Sequence, residues 1–194
     1  MDTYAAALTL FLIMDPLGNI PVVLSILKQV DARRRVKVLV RELLIALGLM
    51  LLFLYSGSAL LKLLSLSKEA VSISGGLVLL IIAIRMIFPS RGGVMGDEDD
   101  DAEPLVVPLA TPMIAGPSIL ATLVLLTESD PNRSVDWLIA LLLAWGATAI
   151  ILLAGQTLYK ILGKRGLKAL ERLMGMILIS IAVQMLINGV LALG

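Results

Sequence analysis

The sequence predicts an all-α polytopic membrane protein: six transmembrane helices forming two inverted three-helix repeats, with helices 1 and 4 broken near the bilayer midplane. Three observations lead there. The composition is too apolar for a soluble domain, six apolar runs are each long enough to cross a bilayer, and a proline-glycine segment recurs in the first and fourth of them. Of the 194 residues, 59% are hydrophobic and 16% charged, against roughly 45–50% and about 25% in ordinary domains. The mean hydropathy is +0.99.

A helix needs about 20 mainly apolar residues to cross the hydrocarbon core. Reading between charges gives spans at 3–27, 38–58, 70–88, 105–126, 135–157 and 170–193. The first follows Met1-Asp2-Thr3-Tyr4, which lacks the basic n-region of a cleaved signal peptide, so it is expected to be retained as a span. The second starts close to Arg41-Glu42, a pair able to neutralise itself at the interface. Ser72, Ser74, Gly75 and Gly76 in the third are small residues suited to close helix contact. The sixth holds Glu171, Gly175, Ser180, Gln184 and Asn188, read as one polar face. Gly175 and Ser180 there suit packing, and Gln184 and Asn188 are candidate pathway residues.

Between spans three and four, residues 89–104 contain six carboxylates and one arginine. They read as an acidic, solvated cytoplasmic linker. Asp97–Glu103 lacks the Asx ladder and glycine turn of a calcium loop. The organisation is then a first repeat over 1–88, the linker over 89–104, and a second repeat over 105–194, forming one membrane domain.

Lysine and arginine in the loops set the orientation. The first loop and its edges hold Lys28, Arg33, Arg34, Arg35, Lys37 and Arg41, and the fifth holds Lys160, Lys164, Arg165, Lys168 and Arg172. Arg91 lies in the third, with Arg85 near enough to snorkel to the same side. Loops two and four offer only Lys62, Lys68 and Arg133. Odd loops are therefore expected to be cytoplasmic and both termini extracytoplasmic, in a multi-pass protein of the cell inner membrane.

The repeat shows in residues as well as in span count. Pro16-Leu17-Gly18-Asn19-Ile20-Pro21 and Pro112-Met113-Ile114-Ala115-Gly116-Pro117 share proline, four residues, proline at an offset of 96. Ala83-Ile84-Arg85-Met86-Ile87 and Ala182-Val183-Gln184-Met185-Leu186 match at 99, as do Gly76 and Gly175, while Gly48 and Gly146 differ by 98. Three spans per half is an odd number, so the halves run in opposite directions through the membrane, as in many secondary transporters.

Proline removes a helix hydrogen bond and crowds the preceding turn, so neither six-residue stretch is expected to form continuous helix. Broken backbone at the midplane survives only when buried in protein or lining a cavity. The half-helix starting after a break offers N–H groups and a positive dipole end to a carboxylate, and the half ending before it offers carbonyls to an ammonium or cation. Two opposed breaks can hold a zwitterion at both ends. The candidate substrate-binding residues are Asp15, Pro16, Leu17, Gly18, Asn19, Thr111, Pro112, Ala115, Gly116 and Pro117. Asp15 is the one ionisable residue expected near the midplane. It is a candidate for ion coupling, through a proton or sodium, and equally a cap for the helix that starts at Pro16.

The chain resembles the MarC family of bacterial and archaeal inner-membrane proteins. Asp15-Pro16-Leu17-Gly18-Asn19, Ala115-Gly116-Pro117, Val40-Arg41-Glu42-Leu43-Leu44-Ile45-Ala46-Leu47, Ser72-Ile73-Ser74-Gly75-Gly76 and Leu170-Glu171-Arg172-Leu173-Met174-Gly175 carry the likeness, which covers almost the whole chain. The resemblance implies a place near the lysine-exporter type superfamily and transport of small neutral amino acids such as glycine and alanine. It does not decide between import and export, and it assigns the acidic stretch no role.

The function expected is a secondary transporter of glycine, alanine and serine, by alternating access, with export as the expected direction. Gly18, Ala115 and Gly116 would keep the site small. No cofactor is expected beyond a coupling proton or sodium ion, and no metal or nucleic acid; the bilayer and a zwitterionic amino acid are the expected partners. Without His or Cys, His-based acid–base catalysis, thiol redox chemistry and disulfides are excluded, and no enzyme activity is expected. Transport of another small solute or drug, and a membrane assembly or regulatory module that moves no solute, are the rival readings. Nothing in the sequence sets the oligomeric state.

Overall fold

The computed structural model describes residues 1–28, 30–88 and 114–193, whose regular structure is entirely helical. In order these are α1 (Thr3–Met14), α2 (Pro16–Lys28), α3 (Arg35–Leu63), α4 (Lys68–Ile87), α5 (Pro117–Ser129), a 3-10 turn (Pro131–Arg133), α6 (Ser134–Leu153) and α7 (Gly155–Leu191). Five stretches are long and apolar enough to cross a membrane: Thr3–Lys28, α3, α4, Pro131–Leu153 and α7. α5 is a shorter apolar helix of 13 residues. It supplies the second part of the expected fourth span; residues 105–113 of that span and the acidic linker lie outside the described residues.

The packing suits a lipid solvent. Ala6, Ala46, Ala83, Ala140 and Ala182 are fully buried, while Leu8, Leu44, Leu52, Ile150 and Val190 face outward. Lipid tails are as apolar as leucine, so small residues earn the helix contacts and large aliphatic ones coat the outside. The most extensive interface joins α4 to α7; α2 rests on α7 and α6, and α5 rests on α4 and α3. α1 packs mainly on α6.

Glycine sets the α4–α7 separation. A Cβ on Gly76 would stand 3.0 Å from the Ala182 carbonyl oxygen and 3.1 Å from Met185 Cβ. One on Gly175 would stand 3.1 Å from the Ala83 carbonyl oxygen and 3.2 Å from Met86 Cβ. Every residue in the first contact lies 99 positions from its counterpart in the second. Ser72 adds a bond across the same interface, donating from Oγ to the Met185 carbonyl at 2.8 Å.

Elsewhere indoles and paired charges tie the helices. Trp145 Nε1 donates to the Leu43 carbonyl at 2.9 Å, joining α6 to α3. Glu42 is buried at 2% exposure and meets Arg41 at 2.7 Å, so the expected self-neutralising pair forms. At the start of α6, Arg133 bonds the Met1 carbonyl at 2.7 Å and Asp136 at 2.7 Å, and lies over the Trp137 ring. That clamp holds the beginning of α1 against α6.

Three sequence expectations need correction. Pro16–Pro21 is not a non-helical stretch: Pro16 opens α2 and Pro21 lies inside it. Pro16 occupies the first helical position, where no backbone donor is needed, so the chain breaks at Asp15 alone. The fifth loop is also largely helical. α6 ends at Leu153, and α7 runs through Lys160–Lys168 with one non-helical residue, Gly163 at φ 63 and ψ 175, a conformation essentially reserved for glycine. Finally, Glu171, Gly175, Ser180, Gln184 and Asn188 do not share a face. Gly175 is buried, whereas Ser180, Gln184 and Asn188 are exposed. The five-residue step from Gly175 to Ser180 turns about 140° around a helix of 3.6 residues per turn, which carries the later residues away.

Candidate functional site

Asp15 is a one-residue interruption. It adopts left-handed backbone, φ 43 and ψ 59, between α1 and α2. Its N–H still donates back into α1, to the Phe11 and Leu12 carbonyls at 3.2 and 3.1 Å, and its carbonyl accepts from the Asn19 N–H at 3.1 Å. Its side chain turns forward instead: Oδ1 accepts from the Gly18 N–H at 3.2 Å. That is an N-cap on α2, and the dipole end of α2 favours the negative charge. Asn19 closes the joint from the other side, its Nδ2 donating to the Met14 carbonyl at 3.0 Å.

Sequence explains this arrangement locally. Asp tolerates left-handed backbone better than most residues, and proline next to it begins a helix readily. Gly18 is required by space. A Cβ there would overlap the Asp15 carboxylate and the Met86 terminal methyl. Asp15 is 6% exposed, so the capped carboxylate is held inside the protein.

The second segment starts a helix in a similar way. Ala115 is buried at 2% exposure, Gly116 is the N-cap of α5 in extended backbone, and Pro117 takes the first helical position. Ser118 Oγ then donates to the Gly75 carbonyl at 3.2 Å, fixing this turn against α4. Thr111 and Pro112 lie outside the described residues.

These two starts share one cavity of about 310 Å³, near the lower end of the roughly 300–1,000 Å³ usual for small-molecule sites. Asp15, Gly18 and Asn19 line it from the first break, and Gly116, Pro117 and Ser118 from the second. Met86 and Leu178 supply apolar walls from α4 and α7. Pro16, Leu17 and Ala115 flank these residues in the chain without lining the space. Gln184 and Asn188 are not brought to it: they are exposed and bonded to each other at 2.8 Å.

Two charged residues beyond those expected from the sequence line the space. Arg85 and Glu171 both face the cavity, giving it a guanidinium and a second carboxylate. Position offered a signal that charge alone did not. Arg85 and Gln184, like Ser72 and Glu171, are related by the offset of 99, so polar residues recur at one spacing in otherwise apolar spans. Among the described residues, no cluster of three acidic side chains could hold a metal ion.

The comparisons with known proteins agree over the whole chain. The signature of the MarC family integral membrane proteins matches residues 2–193. The UPF0056 inner membrane protein YhgN of Escherichia coli (strain K12) is 53% identical over 189 residues, covering 97% of this chain and 96% of that protein. A UPF0056 membrane protein of Buchnera aphidicola subsp. Schizaphis graminum is 49% identical, with 98% and 97% covered. The archaeal UPF0056 membrane protein MJ1677 of Methanocaldococcus jannaschii is 33% identical, with 94% and 92% covered. No solved structure matches. An apolar multi-helix chain similar to these relatives from end to end belongs to the MarC family of integral membrane proteins.

Proposed function

We propose that the chain is a secondary transporter that exports small neutral amino acids, namely glycine, alanine and serine, across the cell inner membrane by alternating access. One observation carries the reading: the helix starts at Asp15-Pro16 and Gly116-Pro117, about a hundred residues apart in sequence, line a single cavity. The start of α5, whose N-cap Gly116 makes no side-chain bond, favours a substrate carboxylate. Ile13, at the end of α1, lines the same space as Asp15; a carbonyl from the end of α1 together with the Asp15 carboxylate would suit an ammonium. Arg85 and Glu171 offer the same two charges again at the cavity wall.

The architectural part of the proposal is a pair of inverted repeats, each with its first helix broken near the midplane. Its support is the reciprocal glycine contact of α4 and α7, in which each side repeats the other at an offset of 99. The packing of α2 on α7 alongside that of α5 on α4 points the same way. Asp15 then has two roles. It caps α2, and it exchanges the coupling proton or sodium ion. The lysine- and arginine-rich ends face the cytoplasm, with both termini outside.

The test is ligand-dependent thermal unfolding of the purified chain in detergent. Glycine and alanine should raise the midpoint saturably and leucine should not. Gly116→Leu should abolish the shift while the variant stays folded, because Gly116 has φ −71 and ψ 166, which leucine adopts freely. No shift with any small amino acid, from folded wild-type protein, overturns the substrate class.

A further inference from the structure

A second cavity, of about 550 Å³, opens towards the opposite end of α2 from Asp15, between the C-terminal half of α2, the start of α3 and the first half of α7. Its charged lining is Lys28, Arg35, Lys160, Lys164 and Lys168, with one carboxylate, Glu171. We propose that it binds a phosphate-bearing anion, through cations the transport reading does not use.

Orientation alone explains why cations lie at this end, but not why these five converge. Arg33, Arg34, Lys37, Arg165 and Arg172 belong to the same two stretches and do not line the cavity. Lys164 and Lys168 are one helical turn apart, and Lys160, on the other side of the bend at Gly163, lines the cavity with them. Like charges one turn apart repel, and among the described residues none of the five forms an ion pair with a carboxylate. Arg35 is partly engaged, with Nε donating to the Val30 carbonyl at 3.0 Å; the lysine ammoniums are not.

Such a set is satisfied by a compact multivalent anion, and a phosphate accepts several charge-assisted bonds at once. Pro21, Leu24, Leu27 and Leu167 add an apolar part to the wall, beside the uncharged polar Ser25, Gln156 and Tyr159; the apolar part suits the glycerol and acyl portion of a lipid. An anionic phospholipid of the cytoplasmic leaflet and a soluble phosphomonoester both supply this chemistry. Glu171 lines both cavities, so the two share one wall residue.

The test is native mass spectrometry of the full chain in detergent, titrated separately with short-chain phosphatidylglycerol, short-chain phosphatidylcholine and glycerol 3-phosphate. Wild type should retain one phosphatidylglycerol or one glycerol phosphate. Lys160→Gln/Lys164→Gln/Lys168→Gln should weaken that retention by at least about tenfold, and Lys62→Gln/Lys68→Gln, at the other end of the bundle, should not. Preference for the lipid identifies the membrane as the source, and preference for glycerol phosphate a soluble ligand. Retention of neither anion, equal retention of phosphatidylcholine, or equal loss in the Lys62/Lys68 control overturns the proposal. If the triple variant does not fold, Lys164→Gln alone should weaken binding, and raised salt should weaken wild-type binding; indifference to both overturns it as well.

Discussion

Gly76→Ala and Gly175→Ala should destabilise the protein by similar amounts, because the two glycines occupy matching places in one interface. At each, a new methyl would come within 3.0–3.1 Å of a backbone carbonyl oxygen on the opposite helix, which can yield only if α4 and α7 separate. Overpacking of this kind costs about 1–3 kcal/mol, and alanine returns about 1 kcal/mol of helix propensity. The net expectation is about 0–2 kcal/mol for each. Separation forced by one methyl makes room for the other, so the double variant should lose less than the sum, by about 0.5–1 kcal/mol. Gly48→Ala in α3 and Gly146→Ala in α6 form an internal control. A Cβ at either meets nothing within 4 Å, so each should be neutral or stabilising by up to about 1 kcal/mol. Equilibrium unfolding of the purified chain in mixed detergent measures all five variants. Loss at only one of Gly76 and Gly175, or loss as large at Gly48 and Gly146, would refute the reciprocal-packing argument.

Other consequences are open to direct measurement. Asp15→Asn should change the proton or sodium dependence of transport; unchanged dependence would reduce Asp15 to its capping bond with Gly18. Arg85→Gln should raise KM for amino acid by roughly tenfold through loss of one charge-assisted contact, with a smaller effect on kcat; unchanged KM would remove Arg85 from substrate contact. The chain has no cysteine, so single replacements report orientation without background. Ser67→Cys should react with an impermeant maleimide in intact cells and Asp31→Cys only after lysis, and the reverse pattern would invert the topology.

Much of this architecture was legible because bilayer physics leaves few choices. Long apolar runs between charges became helices, and Asp-Pro marked a helix start whose capping bond the structure contains. Gly76 and Gly175 stand 99 residues apart in sequence, and both lie in the α4–α7 interface. What was hidden depended on which residue absorbs a break. Two prolines five apart suggest a long unwound stretch, yet a single left-handed Asp15 suffices, and Pro21 sits inside α2. The polar residues of α7 looked like a stripe by spacing alone. One five-residue step among the fours separates Gly175 from Ser180, Gln184 and Asn188, and only Glu171 reaches the cavity. Arg85, near the end of α4, is expected to snorkel; it is exposed and also lines the cavity, whose other walls come from elements remote in sequence.

If the two helix starts form one substrate site, labelled glycine and alanine should cross proteoliposome membranes under an imposed proton or sodium gradient. The flux should saturate, be driven by one of the two gradients and be lost in Gly116→Leu. Absence of flux from folded wild-type protein under every gradient, or flux at the wild-type rate in Gly116→Leu, would contradict it.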